Sequence, residues 1–247
     1  MAVDPEMLGK VFEELVTGRH ETGSYYTHKP IVSFMCREAL KGYLESNLPK
    51  QTPKVIARFV DEHDPSPLQD AEAVLEALRR VRVCDPACGS GAYLLGMLHE
   101  LMDLRTCLFS TKRLDPISAY DRKLEIIQRN VYGVDKDAFA TNIAKLRLWL
   151  SLAVEFEGEA PPPLPNLDFK IEQGDALLSP QPAAIGQQAF RQQAIDAYFQ
   201  AKTAYLTAHG NTKRTLRTQI VHLRQDIALW VLRCFTWVDM PDRVCLR

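Results

Sequence analysis

The chain has 247 residues, of which 46% are hydrophobic and 25% charged, a composition that excludes a disordered protein. Its net charge of -1 excludes a whole-molecule attraction to nucleic acid, so any basic surface for DNA must be local. No apolar stretch approaches the roughly 20 residues of a membrane span, and the amino terminus lacks a secretion signal, so we expect a cytoplasmic protein with no membrane contact and no disulfides.

The first part of the chain is predicted to be helical. Apolar residues recur at helical spacing over residues 4–17, and again over 30–44 and 68–79. Pro30 suits the first turn of the second helix, and residues 23–30 read as the loop before it. Four prolines interrupt the pattern between residues 49 and 67, where no helix is predicted. We therefore expect an amino-terminal helical region over residues 1–80.

Short apolar strands alternate with helices from residue 81 onward, which is typical of a parallel sheet covered by helices. The predicted strands are 81–84, 131–135 and 167–171, and the predicted helices start near residues 93, 118 and 138, the last of them running to 154. A proline-rich loop is predicted over residues 155–166. The fold class is therefore α/β, with the sheet between residues 81 and 180.

The carboxyl-terminal part, residues 181–247, is predicted to contain two helices, 183–208 and 212–235, and no further strand. This part is locally basic, with nine Lys or Arg against four Asp. Either it is a solvated helical hairpin packed by its apolar face, or it presents a surface to DNA.

A strand that ends in an acid and a turn with two glycines is how a sheet brings backbone close to a nucleotide-like ligand. Asp85, Gly89 and Gly91 fit this pattern. A dinucleotide site is excluded, because Gly-x-Gly-x-x-Gly is absent and the next strand-end acid, Asp135, is far beyond the roughly 20 residues expected. A P-loop is excluded because no Lys-Ser or Lys-Thr follows Gly91. An acidic first loop suits a nucleoside that carries a cationic group instead of phosphate. The Cys84 and Cys88 pair lacks a second Cys/His pair, so no metal site is predicted.

The run Asp-Pro-Ala-Cys-Gly-Ser-Gly at 85–91 resembles the S-adenosylmethionine (AdoMet) binding motif I of N6-adenine DNA methyltransferases. Gly-Ser-Tyr-Tyr-Thr at 23–27 resembles their motif X, Tyr-Gly-Val-Asp at 132–135 with the helix after it their motif II, and Gly-Asp-Ala-Leu-Leu at 174–178 their motif III. With motif X first, the order is similar to the gamma arrangement of large restriction-modification and phage-defence enzymes, the type IIG-like group.

The resemblance implies a partial Rossmann-type sheet and a role for each motif residue. It implies that Asp85 lies near the methionine amino group, that Asp135 binds both ribose hydroxyls, and that Asp175 binds the adenine amino group. The full set of cofactor-binding residues that it implies is Tyr25, Thr27, Asp85, Ala87, Cys88, Gly89, Gly91, Asp135, Lys136, Asp175 and Ala176. The implied partner of the full-length protein is double-stranded DNA.

The catalytic motif of this family, Asn/Asp-Pro-Pro-Tyr/Phe, does not occur in the 247 residues. We therefore expect a chain that is cut before this motif, binds AdoMet weakly and does not methylate DNA. The strand at 81–84 would then have an unpaired edge, which predicts either self-association or covering by the helices at 183–235.

Two other readings stay open. One is a degenerate, non-catalytic module that senses AdoMet or assembles with DNA or a protein partner. The other is an active methyltransferase for a small molecule or a protein, although motif X at the front and the Asp-Pro-Ala-Cys-Gly-Ser-Gly spelling weigh against it.

Overall fold

A computed structural model describes residues 5, 7–9, 11, 27–156, 166–176, 188–230 and 243–245. In chain order the elements are α1 (Lys29–Asn47), α2 (Pro53–Glu62), α3 (Ala71–Arg80), β1 (Arg82–Asp85), α4 (Ala92–Lys112), α5 (Ala119–Arg129), β2 (Val131–Asp135), α6 (Ala138–Ala153), β3 (Ile171–Gln173), α7 (Gln188–Thr207), α8 (Gly210–Trp230) and β4 (Arg243–Cys245). The predicted helix over 4–17 lies mostly outside the described residues, of which 5, 7–9 and 11 are helical. Among the helices described, none is long and apolar enough to cross a membrane.

The amino-terminal region contains one helix more than the sequence predicted. The helix α2 begins at Pro53, directly after Thr52, whose side chain accepts a hydrogen bond from the Val55 amide. Proline is favoured at the first helical position because its missing N–H has no partner there in any case. The proline was therefore the start of a helix rather than an interruption. The helix α1, with Pro30 in its first turn, is confirmed.

The four strands form one parallel sheet in the order β3-β2-β1-β4. Strands β1 and β2 confirm the prediction to within one residue. The third strand was predicted too early, at 167–171, whereas β3 begins at Ile171. The amides of Lys170 and Ile171 both donate to the Leu167 carbonyl, at 2.9 and 3.0 Å, so residues 168–170 form a turn instead of a strand.

The prediction of no strand beyond residue 182 was wrong. Strand β4 pairs in parallel with β1, with Arg243 opposite Arg82 and Cys245 opposite Cys84. The edge of β1 that we expected to be unpaired is therefore paired, which removes that reason to expect self-association. The hairpin of α7 and α8 lies near β3, at the opposite end of the strand order from β4. Its residues Tyr198, Tyr205 and Ile220 pack there against Phe169.

The main hydrophobic core lies between the sheet and the helices. Val83, Val131 and Ile171 belong to it, and their strand positions are in register with one another or two residues apart, so they share one face of the sheet. Helices α4, α5 and α6 contribute Leu, Ile and Ala side chains to the same cluster. Because β1, β2 and β3 are parallel, the loops that follow their carboxyl ends lie at the same edge of the sheet, and these loops carry the predicted site.

The buried amino group of Lys170, in the turn just before β3, has no hydrogen-bond partner among the described residues. The Lys170 side chain is 3% exposed, its Nζ lies 3.4 Å from the centroid of the Tyr132 ring, and no described group accepts a hydrogen bond from it. Burial, followed by repulsion from Lys202 and Arg82, holds the pKa of Lys170 well below its usual value. Its charged form is therefore a cost to folding.

We expect Lys170→Met to raise the free energy of unfolding at pH 7 by about 1–3 kcal/mol, since it removes a buried polar group without a partner. In the wild type, the Lys170 amino group binds its proton more tightly in the unfolded chain than in the folded chain. The free energy of unfolding should therefore increase with pH from the folded pKa up to about 10.4, and this rise should be absent in the variant. Urea denaturation at several pH values measures both effects. Lys41→Met is the control, because Lys41 is paired with Glu38 and Asp61 at the surface; a variant at Lys170 no more stable than this control contradicts the prediction.

Candidate functional site

The predicted acids lie together at the edge of the sheet that is formed by the carboxyl ends of the parallel strands. Asp85 ends β1 and Asp135 ends β2, while Asp175 follows β3 by two residues. The register places Asp85 opposite Gly133 and Asp135 opposite Gln173. Relative to this register, Asp135 lies two residues beyond the position opposite Asp85, and Asp175 lies two residues beyond the position opposite Asp135.

Asp85 is a buried carboxylate with one oxygen unsatisfied. Its side chain accepts a hydrogen bond from the Ala87 amide through Oδ1 at 3.1 Å, whereas Oδ2 has no hydrogen-bond partner among the described residues. The pKa of Asp85 is raised to about 6, because burial, the largest cause, and the charge of Asp135 together outweigh the hydrogen bond from the Ala87 amide, which lowers it. A cation brought to Oδ2 would satisfy this oxygen and stabilise the ionised form.

The turn between β1 and α4 is shaped by two glycines with different roles. Gly89 has φ +51° and Gly91 has φ +86°, a region that glycine adopts without strain. A Cβ on Gly91 would lie 2.9 Å from the Cβ of Ala144, so this glycine allows the turn to pack on α6. A Cβ on Gly89 would meet nothing within 4 Å. Gly89 therefore borders open space, where a ligand could approach the backbone.

Asp135 ties the glycine turn to the next strand. Its Oδ2 accepts a hydrogen bond from the Gly89 amide at 2.7 Å, and its Oδ1 accepts one from the Asp137 amide at 2.9 Å. Asp137 in turn caps α6 by accepting from the Phe139 amide at 2.8 Å. Both Asp135 oxygens already hold a backbone amide, but each keeps a second lone pair with which it could accept a hydroxyl.

The loop after β3 is fastened to the same strand end. The Gly174 amide donates to the Asp135 carbonyl at 2.8 Å, which brings Asp175 to the carboxyl end of β2. Gln173 donates through Nε2 to the Lys136 carbonyl at 3.2 Å. The side chain of Asp175 is partly exposed and Ala176 is exposed, so this loop forms the outer border of the edge.

The remaining predicted residues are not all brought to this edge. Tyr25 lies outside the described residues. Thr27 is described, and it lines a cavity of about 450 Å³ between α1 and α4 that none of the three acids lines. Cys88 faces the core and burial raises the pKa of its thiol, so only its backbone can contact a ligand at this edge. Ala87 and Lys136 are exposed beside the turn.

The sequence analysis did not identify Arg147, a buried residue of α6 that binds the glycine turn at Ser90. It is 2% exposed, and its Nη1 donates to the carbonyl and the hydroxyl of Ser90 at 2.8 and 3.1 Å. The available signal was a single arginine within the apolar run of α6. No group of three or more His, Cys, Asp or Glu that could hold a metal ion occurs within the part of the chain that the structure describes.

Comparison with known proteins gives a consistent assignment. Residues 62–178 match the family model described as the MmeI DNA-methyltransferase domain. A protein of Methanocaldococcus jannaschii named as a type II restriction enzyme and methyltransferase is 31% identical over 207 residues, which cover 71% of this chain and 16% of that protein. A type II restriction enzyme and methyltransferase of Escherichia coli is 32% identical over 110 residues, or 39% of this chain and 11% of that protein.

DNA methyltransferase A of Bacillus subtilis is 24% identical over 152 residues, which cover 60% of this chain and 16% of that protein. Among solved structures, the restriction-modification enzyme MmeI in complex with DNA has a TM-score of 0.44 at 19% identity, covering 71% of this chain and 23% of that one. The chain thus spans about a sixth or less of the length of these curated relatives. The predicted resemblance to DNA methyltransferases of restriction-modification systems is confirmed.

Proposed function

Because residues 62–178 match the family model of the MmeI DNA-methyltransferase domain, we propose that this chain is the AdoMet-binding portion of an adenine-N6 DNA methyltransferase of a restriction-modification or phage-defence system. Adenine as the target base rests on the resemblance of the Asp85–Gly91 run and of the motif order. Double-stranded DNA is the partner we propose for the whole protein, of which this chain would supply the cofactor site.

The observation that carries the proposal is the Oδ2 of Asp85, which is buried and has no hydrogen-bond partner among the residues that the structure describes. A buried polar atom without a partner costs free energy, and in native proteins such an atom commonly has a functional reason. The methionine part of AdoMet carries an ammonium group, which is the kind of cation that this oxygen lacks. A Cβ built on Gly89, in the same turn, would meet no described atom within 4 Å, so the chemistry of Asp85 and the space at the turn are both compatible with the cofactor.

We propose that the chain's residues divide the cofactor between them. Asp85 would bind the ammonium, the backbone at Gly89 would lie along the methionine and ribose portions, and Asp135 would accept the ribose hydroxyls with its remaining lone pairs. Asp175 would bind the adenine amino group. When bound, AdoMet supplies an electrophilic methyl group on a sulfonium. The strand order β3-β2-β1-β4 supports this arrangement, because it equals the first four positions of a doubly wound Rossmann sheet.

The 247 residues contain no group that we would assign to catalysis. Transfer to adenine requires a flipped base, an aromatic side chain to stack on it and acceptors for its amino hydrogens. Asn/Asp-Pro-Pro-Tyr/Phe, which would supply the last two, is absent from the sequence. This observation favours the second candidate, a non-catalytic AdoMet-binding module, over an independent enzyme for this chain alone.

Isothermal titration calorimetry tests the proposal. We expect AdoMet to bind this chain, and 5′-methylthioadenosine, which lacks the amino-acid part, to bind at least tenfold more weakly because Asp85 would then keep an unpaired charge. We also expect no labelled methyl to enter DNA with this chain alone. Absence of binding at millimolar AdoMet would contradict the cofactor assignment, whereas methyl transfer to DNA would contradict the non-catalytic one.

A further inference from the structure

Arg147 joins two parts of the chain that are distant in sequence. Its Nε donates to the Pro5 carbonyl at 2.7 Å, while its Nη1 donates to the carbonyl and the hydroxyl of Ser90 at 2.8 and 3.1 Å. One buried guanidinium therefore holds the backbone of the amino-terminal segment (residues 5, 7–9 and 11) and the backbone of the glycine turn. Since the guanidinium is planar and rigid, a shift at one of these contacts displaces the other.

The packing around this guanidinium is close on both sides. A Cβ on Gly9 would overlap the Arg147 guanidinium, so the amino-terminal segment lies directly on it. Three residues before Arg147 on α6, Ala144 is the residue that a Cβ on Gly91 would meet. The same side of α6 thus supports the turn through Ala144 and through Arg147.

We propose that Arg147 is a positioning residue that couples docking of the amino-terminal segment to the conformation of the glycine turn, and thereby to cofactor affinity. The inference rests on the proposed function, since the turn is where AdoMet would bind. With the amino-terminal segment displaced, the Arg147 Nε loses its acceptor, and the guanidinium no longer fixes Ser90. The turn then exposes Gly89 in several orientations, only some of which bind the cofactor.

A double-mutant cycle in the full 247-residue chain tests the coupling. Gly9→Ala pushes the guanidinium from the amino-terminal side, and Arg147→Met removes it while keeping an unbranched side chain. Each should weaken AdoMet binding by about tenfold to a hundredfold, the value of one or two charge-assisted hydrogen bonds. The double variant should be no weaker than Arg147→Met alone, because the two changes break the same link. Lys145→Met, on the same helix and paired with Asp168, is the control and should leave the affinity unchanged.

Two further readouts separate positioning from general stability and from failure of the proposed function. Thermal unfolding should stay cooperative, and hydrogen exchange of the Ser90 and Gly91 amides should accelerate in both single variants without a matching change at β2. If wild type does not bind AdoMet, the proposed function fails, and the exchange rates alone decide whether Gly9 and Ser90 are coupled. Should Arg147→Met not fold, Gly9→Ala and Arg147→Lys take its place. Additive effects, or unchanged affinity and unchanged exchange, overturn the proposal.

Discussion

Asp85→Asn is expected to abolish most of the affinity for AdoMet and, at the same time, to make the protein more stable above pH 6. The loss of affinity follows from the proposed contact, since a neutral amide cannot compensate a buried ammonium. Leaving one buried charge without its partner costs about 3–5 kcal/mol, so the dissociation constant should rise by about a hundredfold or more.

The gain in stability follows from the raised pKa of Asp85. In the folded chain this pKa is about 6 instead of 3.8, because the ionised carboxylate is buried. Between these two values the folded state binds the proton more tightly than the unfolded state, so the free energy of unfolding falls as pH rises. Above pH 6 the full penalty, about 3 kcal/mol, remains. The Asn variant carries no charge and should not show this fall.

Chemical denaturation of both proteins from pH 4 to pH 8 measures the difference. The two free energies of unfolding should be similar near pH 4 and should separate as the pH rises, with the Asn variant higher by up to about 3 kcal/mol at pH 8. The wild type at pH 4 is its own control, because its carboxyl is then neutral. A variant that is less stable than wild type at pH 8, or that binds AdoMet equally well, contradicts this account of Asp85.

Local chemistry explains which parts of this molecule could be predicted from the sequence. The glycine turn was predictable because its signals are local: Asp85 binds the Ala87 amide two residues away, and Gly89 and Gly91 adopt the positive φ that glycine favours. The same holds for β2 and α6, where Asp135 ends the strand and Asp137 caps the helix that follows. In each case the residues that indicate the element in the sequence lie within a few positions of it.

The parts that were missed depend on partners far along the chain. Strand β4 is three residues long, and it is a strand because β1 offers a free edge, which no local pattern reveals. Arg147 reads as an exception in an apolar run, but its partners Pro5 and Ser90 are 142 and 57 residues away. The helix α2 was missed for a different reason, since Pro53 was read as a breaker without the capping Thr52 before it.

Asp135→Asn makes the same chemical change as the substitution at Asp85, but we expect the opposite effect on stability. Both Asp135 oxygens accept backbone amides, from Gly89 and from Asp137. An Asn side chain has one acceptor oxygen, so one of these amides must lose its partner. The free energy of unfolding should fall by about 1–3 kcal/mol, the cost of an unsatisfied buried donor.

Cofactor binding should weaken as well, by about a hundredfold, because the Gly89 end of the turn is released and the proposed contact with the ribose hydroxyls loses its charge. The charge of Asp135 also raises the pKa of Asp85, so in this variant the pKa of Asp85 should fall below its wild-type value of about 6. Calorimetry measures the affinity, and carboxyl chemical shifts followed by NMR measure the pKa.

Asp137→Asn is the matched control for Asp135→Asn, two residues away. Asp137 caps α6 through the Phe139 amide, and Asn caps a helix about as well as Asp does. It should therefore change the free energy of unfolding by less than about 0.5 kcal/mol and leave AdoMet binding intact. If the two Asn variants behave alike, Asp135 has no special part in joining the glycine turn to β2. If only Asp135→Asn loses both stability and affinity, the Asp135 carboxylate both holds the glycine turn and contributes to the cofactor site. Its replacement then lowers stability and affinity together, whereas Asp85→Asn raises stability and lowers affinity.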